Sequence, residues 1–579
     1  MYTITTDKKE KQKREIISNA IIFAMVAFVV FYINFTLQLV QFNNFILAGA
    51  TATAFVSIRV MGKDKRKYRR GIEHGSARWG TSEDMKPYMD TNPRQNVILT
   101  ATEGLTMNSR PDIPKYGRNK NMLVFGGAGS GKTRFFCVPN IMQMHSSYVI
   151  TDPKGELFYS LGKVLEKVGG YDVRVLNLKD FGASMGYNPF DYIKTEDDIL
   201  RVVNVLQSST TENTKSSDDG DFWTKSEKLL YMALIAYIKF HVKDKTMHNM
   251  NTLVEMVTSM EVKEGDENYK SMVDREFERI EDLYPDDFSV RQYKKFKQGA
   301  GKTLKSIIIS CGVRLAVFDI QAVRDVMEKD EMKLETIGDR KTALFVITDD
   351  TDSTYSFIAT MLYFQMFSTL VNRAESKYRF RDGRLPVHVR CILDEFANLG
   401  KIPNFHRLIA TIRSREISAC IILQNLSQLK AVYKEHMNTI IGNCDTKLFL
   451  GGDDEETLKY LTRVMGKETI DMMDNSETKG KSGSFSKSYK KTGRELMTAD
   501  ELARLDGGKC LLILRGVPPF LSDKFDVTTH PVYRMMNGGI KKPSKGSNTK
   551  PRQQKATPRP RARVPPKNNT QAKIHKSTV

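Results

Sequence analysis

The chain has 579 residues, 40% of them hydrophobic and 27% charged, with a formal net charge of +21. That length is ample for sizeable cores and fits about four domains. The charge excludes a uniformly basic body: residues 541–579 carry +12, 63–70 carry +5 and 1–62 carry +3, which leaves 71–540 at +1. Any nucleic-acid surface in the body must therefore come from local patches. Cys137, Cys311, Cys391, Cys420, Cys444 and Cys510 are scattered, and no pair has CxxC spacing. Reduced core thiols in a cytosolic compartment follow, and the spacing argues against a metal site.

Residues 1–62 read as a two-helix transmembrane hairpin. Ile16 to Phe35 is uncharged and long enough to cross a bilayer. Phe42 to Ile58 is a second uncharged stretch, shorter and softened by Asn43, Asn44 and Thr51. Basic residues precede the first stretch (Lys8 to Arg14) and follow the second (Lys63 to Arg70), so both flanks are expected to stay cytoplasmic. A signal peptide is excluded, because it would have a small-residue cleavage site and no second span. An interfacial second stretch would put the large domain outside, where ATP is absent. Residues 63–120 form a connector containing Gly75-Ser76-Ala77-Arg78-Trp79-Gly80, whose chemistry the residues alone do not assign.

Residues 121–190 read as the first part of a nucleotide-binding domain. The apolar run Met122–Phe125 enters Gly126-Gly127-Ala128-Gly129-Ser130-Gly131-Lys132-Thr133, a Gly, four residues, then Gly-Lys-Thr. Such a loop turns successive N–H groups toward phosphate oxygens and continues into a helix N-terminus that favours anions. Lys132 is expected at the β- and γ-phosphates of ATP, with the Thr133 hydroxyl on Mg2+. Gly299-Ala300-Gly301-Lys302-Thr303 looks similar, but no buried strand precedes it, so it reads as a turn before a helix holding Leu304 to Val313. Tyr148–Thr151 is a buried strand ending at Asp152-Pro153-Lys154-Gly155-Glu156, either at the ligand crevice or in a plain turn. Val173–Asn177 is a further strand.

From 191 to 300 helical periodicity replaces the strands, as in Leu229, Leu230, Met232, Ala233, Ile235, Ala236 and Ile238, so this span reads as an all-α insert. From 301 to 535 the α/β alternation returns, with strands at 343–347, 387–393, 419–423, 447–450 and 510–514 completing a sheet of about seven. Val387–Leu393 ends at Asp394-Glu395, the expected partner of the phosphate loop: Asp394 for Mg2+ or its water, Glu395 to polarise an attacking water. Gln424 ends the next strand and is placed to sense the γ-phosphate. Phe405, Leu408, Ile409 and Ile412 form the buried stripe of a helix from about Pro403, with Arg407, Arg413 and Arg415 off the stripe. Each of these arginines is either a solvated surface residue or one supplied to a neighbouring subunit's site. Lys479 to Gly493 reads as a Gly/Ser/Lys loop with Phe485 and Tyr489, either touching a nucleic-acid strand or idle. Thr498-Ala499-Asp500-Glu501 reads as a capping box. Residues 536–579 form a disordered basic tail whose partner could be nucleic acid, an acidic protein or the anionic membrane surface.

Taken in order, these motifs resemble the type IV coupling proteins, the membrane-anchored ATPases of bacterial conjugation and type IV secretion. The resemblance rests on the N-terminal apolar stretches, Gly75–Gly80, Gly126–Thr133, Thr151–Glu156 and Tyr187-Asn188-Pro189-Phe190. It continues through Leu393-Asp394-Glu395-Phe396-Ala397-Asn398-Leu399-Gly400, Leu423-Gln424-Asn425 and Arg494–Leu505, and spans about 15–530. It implies a RecA-like P-loop motor domain with an inserted all-α domain, arranged as a homo-hexameric ring in the cytoplasmic membrane. It also implies recruitment of a relaxase-bound DNA strand and its delivery to a secretion channel by ATP hydrolysis. Lys132, Thr133, Asp394 and Glu395 match the family's motifs; the trans arginine, Arg413 or Arg415, does not carry over cleanly. The competing readings are a chromosome-type DNA translocase and a non-motor adaptor whose ATP site only sets conformation.

Overall fold

The computed structural model of the chain describes residues 2–38, 43–61, 69, 71–210, 218–261, 269–299, 301–478 and 484–536. The basic tail beyond 540 and most of 63–70 lie outside the described residues, as do residues 479–483 and the Phe485 side chain. The chain divides into two units, Met1–Trp79 with Leu458–Glu501, and Gly80–Thr457 with Leu502–Val579.

In the first unit, helix Tyr2–Leu37 lies against helix Asn44–Met61. The Phe31 and Phe45 rings meet at 4.7 Å, and the Asn34 amide donates to Asn44 Oδ1 at 2.5 Å. Among the described helices, Ile16–Leu37 alone is unbroken and long and apolar enough to cross a membrane; Asn44–Arg59 is apolar but falls short. The expectation of two full spans is thus met for one helix. The unit also holds an antiparallel hairpin, Lys467–Thr478 with Ser484–Glu495. The expected loop at 479–493 is therefore strand from Ser484 onward. Its side chains from Ser488 to Glu495 are exposed or half-buried, so no apolar alternation marked it. His74 and Gly75 donate backbone N–H groups to Thr469 Oγ1, and Ala77 donates to the Lys467 carbonyl. A Cβ on Gly75 would lie 2.1 Å from that carbonyl oxygen, which accounts for this glycine without any chemistry.

The second unit is built on a nine-stranded sheet. In chain order its strands are β1 (Met122–Phe125), β2 (Ser147–Asp152), β3 (Asp172–Asn177), β4 (Thr342–Ile347), β5 (Val389–Leu393), β6 (Ile417–Leu423), β7 (Thr446–Phe449), β8 (Lys509–Leu514) and β9 (Phe520–Asp523). The spatial order is β9-β8-β7-β1-β6-β5-β2-β4-β3. The seven strands from β7 to β3 are parallel, and β8 and β9 add antiparallel at one edge. Parallel strands covered on both faces read as continuous apolar runs, and every residue of β1, β2, β4, β5 and β6 is buried. The antiparallel edge strand β9 was not expected. It has four residues, only one of them buried, too little for a pattern to show. Gly80 packs against it: its N–H donates to the Pro519 carbonyl at 2.7 Å, and a Cβ there would meet the Phe520 ring.

Between β3 and β4 the described residues form no strand. Helices Glu196–Thr210, Asp218–Phe240, Met250–Thr258, Met272–Leu283, Phe288–Lys297, Gly301–Leu315 and Gln321–Glu328 fill the span. The return to strand–helix alternation expected from about 301 comes at Thr342 instead. The second Gly-Lys-Thr sequence opens helix Gly301–Leu315, as read from the sequence. This region has its own core, with Phe277 stacked on Tyr293 at 3.9 Å and Glu227, almost fully buried, paired with Arg314 at 3.0 Å. All six cysteines are buried and unpaired.

The segment leaving the helical region is pinned to the sheet edge by Arg174 on β3. Its guanidinium is 2% exposed and donates to the carbonyls of Met332 and Lys333, to Thr336 Oγ1 at 2.7 Å and to Asp172 Oδ2 at 2.6 Å. Arg174→Met keeps the stem but strips these acceptors of a charged donor. It is expected to destabilise the chain by about 2–4 kcal/mol, read as a lowered urea midpoint for the detergent-solubilised protein.

Candidate nucleotide-binding site

Register places the site. Phe125, the last residue of β1, pairs with Leu423 of β6 on one side and Phe449 of β7 on the other. Leu393 at the end of β5 pairs with Ile421 of β6 and Thr151 of β2. Parallel strands that stop together leave a crevice at their C-terminal ends. The residues after β1, β2, β5 and β6 line one cleft of about 460 Å3, including Gly127 to Gly129, Gly131 to Thr133, Asp152, Lys154, Asp394, Glu395 and Gln424.

The loop after β1 is anchored at its start by two backbone bonds. Gly126 N–H donates to the Leu423 carbonyl at 3.1 Å, and Gly127 N–H donates to the Gly451 carbonyl at 2.9 Å. Gly131 has φ +82°, and a Cβ there would sit 2.4 Å from the Phe135 ring, so position and space both require glycine. The helix that follows opens as one wide π-turn, Thr133–Cys137, before the α-helical Val138–Met142. Pro139 explains it: having no N–H, it gives none to the Phe135 carbonyl four residues back.

Lys132 is buried, its ammonium donating to the Gly126 carbonyl at 2.8 Å and lying 3.3 Å from Glu395 Oε1. The other Glu395 oxygen accepts from Gln424 Nε2 at 3.2 Å. β6 stands between β1 and β5, so Gln424 is the side chain interposed between the loop and the carboxylate pair. Glu395 has φ +48°, the left-handed region, at a cost of about 1–3 kcal/mol for a residue with a Cβ. That turn of the backbone brings its carboxylate to Lys132. Asp394 is 6% exposed, and its Oδ2 accepts the Thr133 hydroxyl at 3.4 Å, at the long end of a hydrogen bond. Burial first and the neighbouring Glu395 charge second raise its pKa to about 6, against the opposing pull of Lys132. Asp152 is also raised by burial, while its Oδ2 accepts the Phe158 N–H at 2.8 Å.

The expected loop residues, Asp394, Glu395 and Gln424 are thus brought together, and Asp152 and Lys154 line the cleft rather than form a remote turn. The arginines are not brought to it within one chain. Arg413 and Arg415 lie in the turn Ile412–Arg415 that enters β6, whereas Gln424 follows the opposite end of that strand. Arg415 pairs with Glu375, and Arg413 is exposed. Arg407 is exposed on helix Phe405–Thr411. Tyr489 on the long hairpin is 77% exposed. Arg134, Glu156, Asp350 and Asn398 also line the cleft and were given no role from sequence. Asp350 ends the run Thr348-Asp349-Asp350 that follows the strand read at 343–347, and the strand-end argument gives it a place here.

Fold and cleft are those of an α/β NTPase. The family model for type IV secretory system conjugative DNA transfer matches residues 83–527, and the chain belongs to that family, the type IV coupling proteins. It is 22% identical over 466 residues to the conjugal transfer protein TraG of Escherichia coli, covering 75% of this chain and 71% of TraG. It is 20% identical over 513 residues to protein VirD4 of Rhizobium radiobacter, covering 86% and 70%. Among solved structures it is similar to the bacterial conjugative coupling protein TrwBdeltaN70 in its unbound form, with a TM-score of 0.53, 15% identity and coverage of 80% and 97%. TrwB has also been solved with the ATP analogue ADPNP (TM-score 0.52, 14% identity, coverage 80% and 95%) and with ADP and Mg2+ (TM-score 0.51, 14% identity, coverage 77% and 93%). At these identities the structural likeness is one of fold.

Asp394 gives the site a pH signature before anything binds. Its raised pKa favours the protonated form of the folded chain. The stability this contributes is complete below the ordinary carboxylate value of 3.8 and is lost as pH rises through about 6. Asp394→Asn is therefore expected to raise the unfolding midpoint of the nucleotide-free protein at pH 8 and to leave it near wild type at pH 3.5. Thermal melts across that range check it.

Proposed function

We propose that this coupling protein is a membrane-anchored P-loop ATPase that hydrolyses ATP with Mg2+ to drive a relaxase-bound DNA strand toward a type IV secretion channel. The observation that carries the reading is the convergence of Lys132, Asp394, Glu395 and Gln424 on three adjacent strand ends. Two features fit a nucleotide with its metal. The buried Ser130 hydroxyl in the loop has no protein partner, and Thr133 and Asp394 offer paired oxygen donors of the hard type Mg2+ takes. The TrwB structures with ADPNP and with ADP and Mg2+ support the same ligands here.

Each residue then has a task. The loop backbone and Lys132 cradle phosphates, and Lys132 exchanges its Glu395 contact for a phosphate oxygen. Thr133 and Asp394 hold Mg2+, which supplies neutralisation of charge on the phosphates. Glu395, freed from Lys132, takes the proton of an attacking water, and Gln424 keeps the Glu395 carboxylate aimed. Arg413 or Arg415, remote from the cleft of its own chain, serves a neighbour's cleft in a homo-hexameric ring. The domains follow the same reading: a transmembrane hairpin at 1–62, a RecA-like motor in two parts, at 121–190 and from Thr342 to 535, and an all-α insert between them. The bulk of the chain lies on the cytoplasmic side, supported by the basic flanks and by helix Ile16–Leu37.

The test is ATP turnover by the full chain in lipid, with and without single- and double-stranded DNA. A motor gives DNA-stimulated turnover rising cooperatively with protein concentration, and Lys132→Ala falls to background. Glu395→Gln keeps nucleotide binding while hydrolysis falls by about 10²- to 10⁴-fold. Tight binding with no turnover under any DNA condition would instead mark an adaptor.

A further inference from the structure

The phosphate loop is held by a side chain that neither its motif nor the strand-end motifs contain. Lys524 immediately follows β9, and its backbone N–H is fixed by the Gly508 carbonyl at 2.8 Å. Its side chain is carried across the sheet edge to the loop. The ammonium donates to the Ser130 carbonyl at 3.0 Å and lies 5.2 Å from the centre of the Phe135 ring, the ring packed over Gly131. Lys524 is 8% exposed, and no ion pair joins it to a described carboxylate. A buried ammonium committed to one backbone carbonyl needs a reason, because burial alone disfavours its charge.

The peptide geometry supplies one. The Ser130 carbonyl and the Gly131 N–H belong to one planar trans unit and point in opposite directions. Gly131 lines the cleft and Lys524 does not. A cation holding the carbonyl on the outer side therefore directs the N–H to the inner side, and polarises it as a donor. The Ser130 N–H bond to the Gly127 carbonyl at 3.2 Å and the Phe135 N–H bond to the Gly131 carbonyl at 2.8 Å hold the peptides on either side, not this one. Gly131 has a positive φ that a glycine adopts without strain, so on that side no Cβ restrains the Ser130–Gly131 peptide.

We propose that Lys524 is a positioning residue for nucleotide binding, fixing the Ser130–Gly131 peptide so that the Gly131 N–H faces a phosphate oxygen of a bound nucleotide. The inference rests on the nucleotide-binding reading of this cleft. Through it, the C-terminal edge of the sheet sets the affinity of the loop.

Lys524→Met keeps the apolar stem and removes the charge; Lys524→Arg keeps the charge. The probe is a fluorescent mant-ADP with Mg2+, titrated onto the full chain in lipid nanodiscs, alongside steady-state ATP turnover and thermal melts without nucleotide. Lys524→Met is expected to raise Kd and KM about tenfold, with kcat recovered at saturating ATP and the melting midpoint unmoved. Lys524→Arg is expected to restore most of the affinity. Wild-type Kd in Lys524→Met overturns the proposal. So does an equal loss in both variants with a lowered melting midpoint, which would mark ordinary packing. Failure of wild type to bind mant-ADP any better than Lys132→Ala would overturn the nucleotide-binding reading itself.

Discussion

The site depends on a level edge. Five parallel strands stop within one pleat of each other, because Phe125 pairs with Leu423 and Phe449, and Leu393 pairs with Thr151 and Ile421. A slip of one residue in any of these pairings would turn every side chain of that strand to the other face. It would also carry Gln424 or the Asp394-Glu395 pair more than 3 Å along the sheet. The register is fixed by burial: these strands are apolar on both faces and closed by helices, so no alternative pairing leaves their side chains covered. The chemistry at the strand ends inherits its precision from the packing beneath.

That edge was legible in the sequence because fully buried parallel strands are unbroken apolar runs, and the polar residues ending each run mark where it emerges. Asp394, Glu395 and Gln424 were found this way, and the loop by its Gly-Lys-Thr pattern after such a run. Asp350 was read at the end of its strand but given no role. Other features left no local trace. The hairpin 467–495 is solvated along most of its described length, so Gly, Ser and Lys disguised it as a loop. β9 has one buried residue, and Lys524 follows it among ordinary surface residues; its meaning lies in a contact 394 positions away. The helical stretch after 301 shares its apolar composition with the sheet region, and composition alone did not separate them. The second apolar N-terminal stretch shows the limit in the other direction. Its lack of charge suggested a span, but its apolar part, Asn44–Arg59, is shorter than Ile16–Leu37, so length and composition do not by themselves mark it as one.

The electrostatics of the cleft follow from counting its buried charges. One buried ammonium, Lys132, faces the adjacent carboxylates Asp394 and Glu395, with the buried Asp152 a third carboxylate in the same cleft. Lys132 lies against Glu395, so the second negative charge is the one burial penalises, and it falls on Asp394. The raised pKa there and the long Thr133 contact express the same imbalance. A cation beside the Thr133 hydroxyl would favour the ionised carboxylate. The Lys132–Glu395 contact is similarly provisional, since it is held by a strained left-handed residue rather than by an ideal turn. Both arrangements are those of a site that balances its own charges only approximately.

The loop and the carboxylates are supported from opposite directions, and this bears on how the site is regulated. The carboxylates rest on β5, deep in the middle of the sheet. The loop is braced by Gly451 after β7 and by Lys524 after β9, both on the C-terminal edge. The middle of the sheet is buried on both faces, whereas the edge strand β9 has a single partner, β8. Edge strands open at lower free energy than central ones. A disturbance of that edge would therefore reach the phosphate loop through Lys524 while leaving Asp394 and Glu395 in place. Affinity for nucleotide and the chemistry performed on it are thus carried by elements of different local stability, and the former can change without the latter.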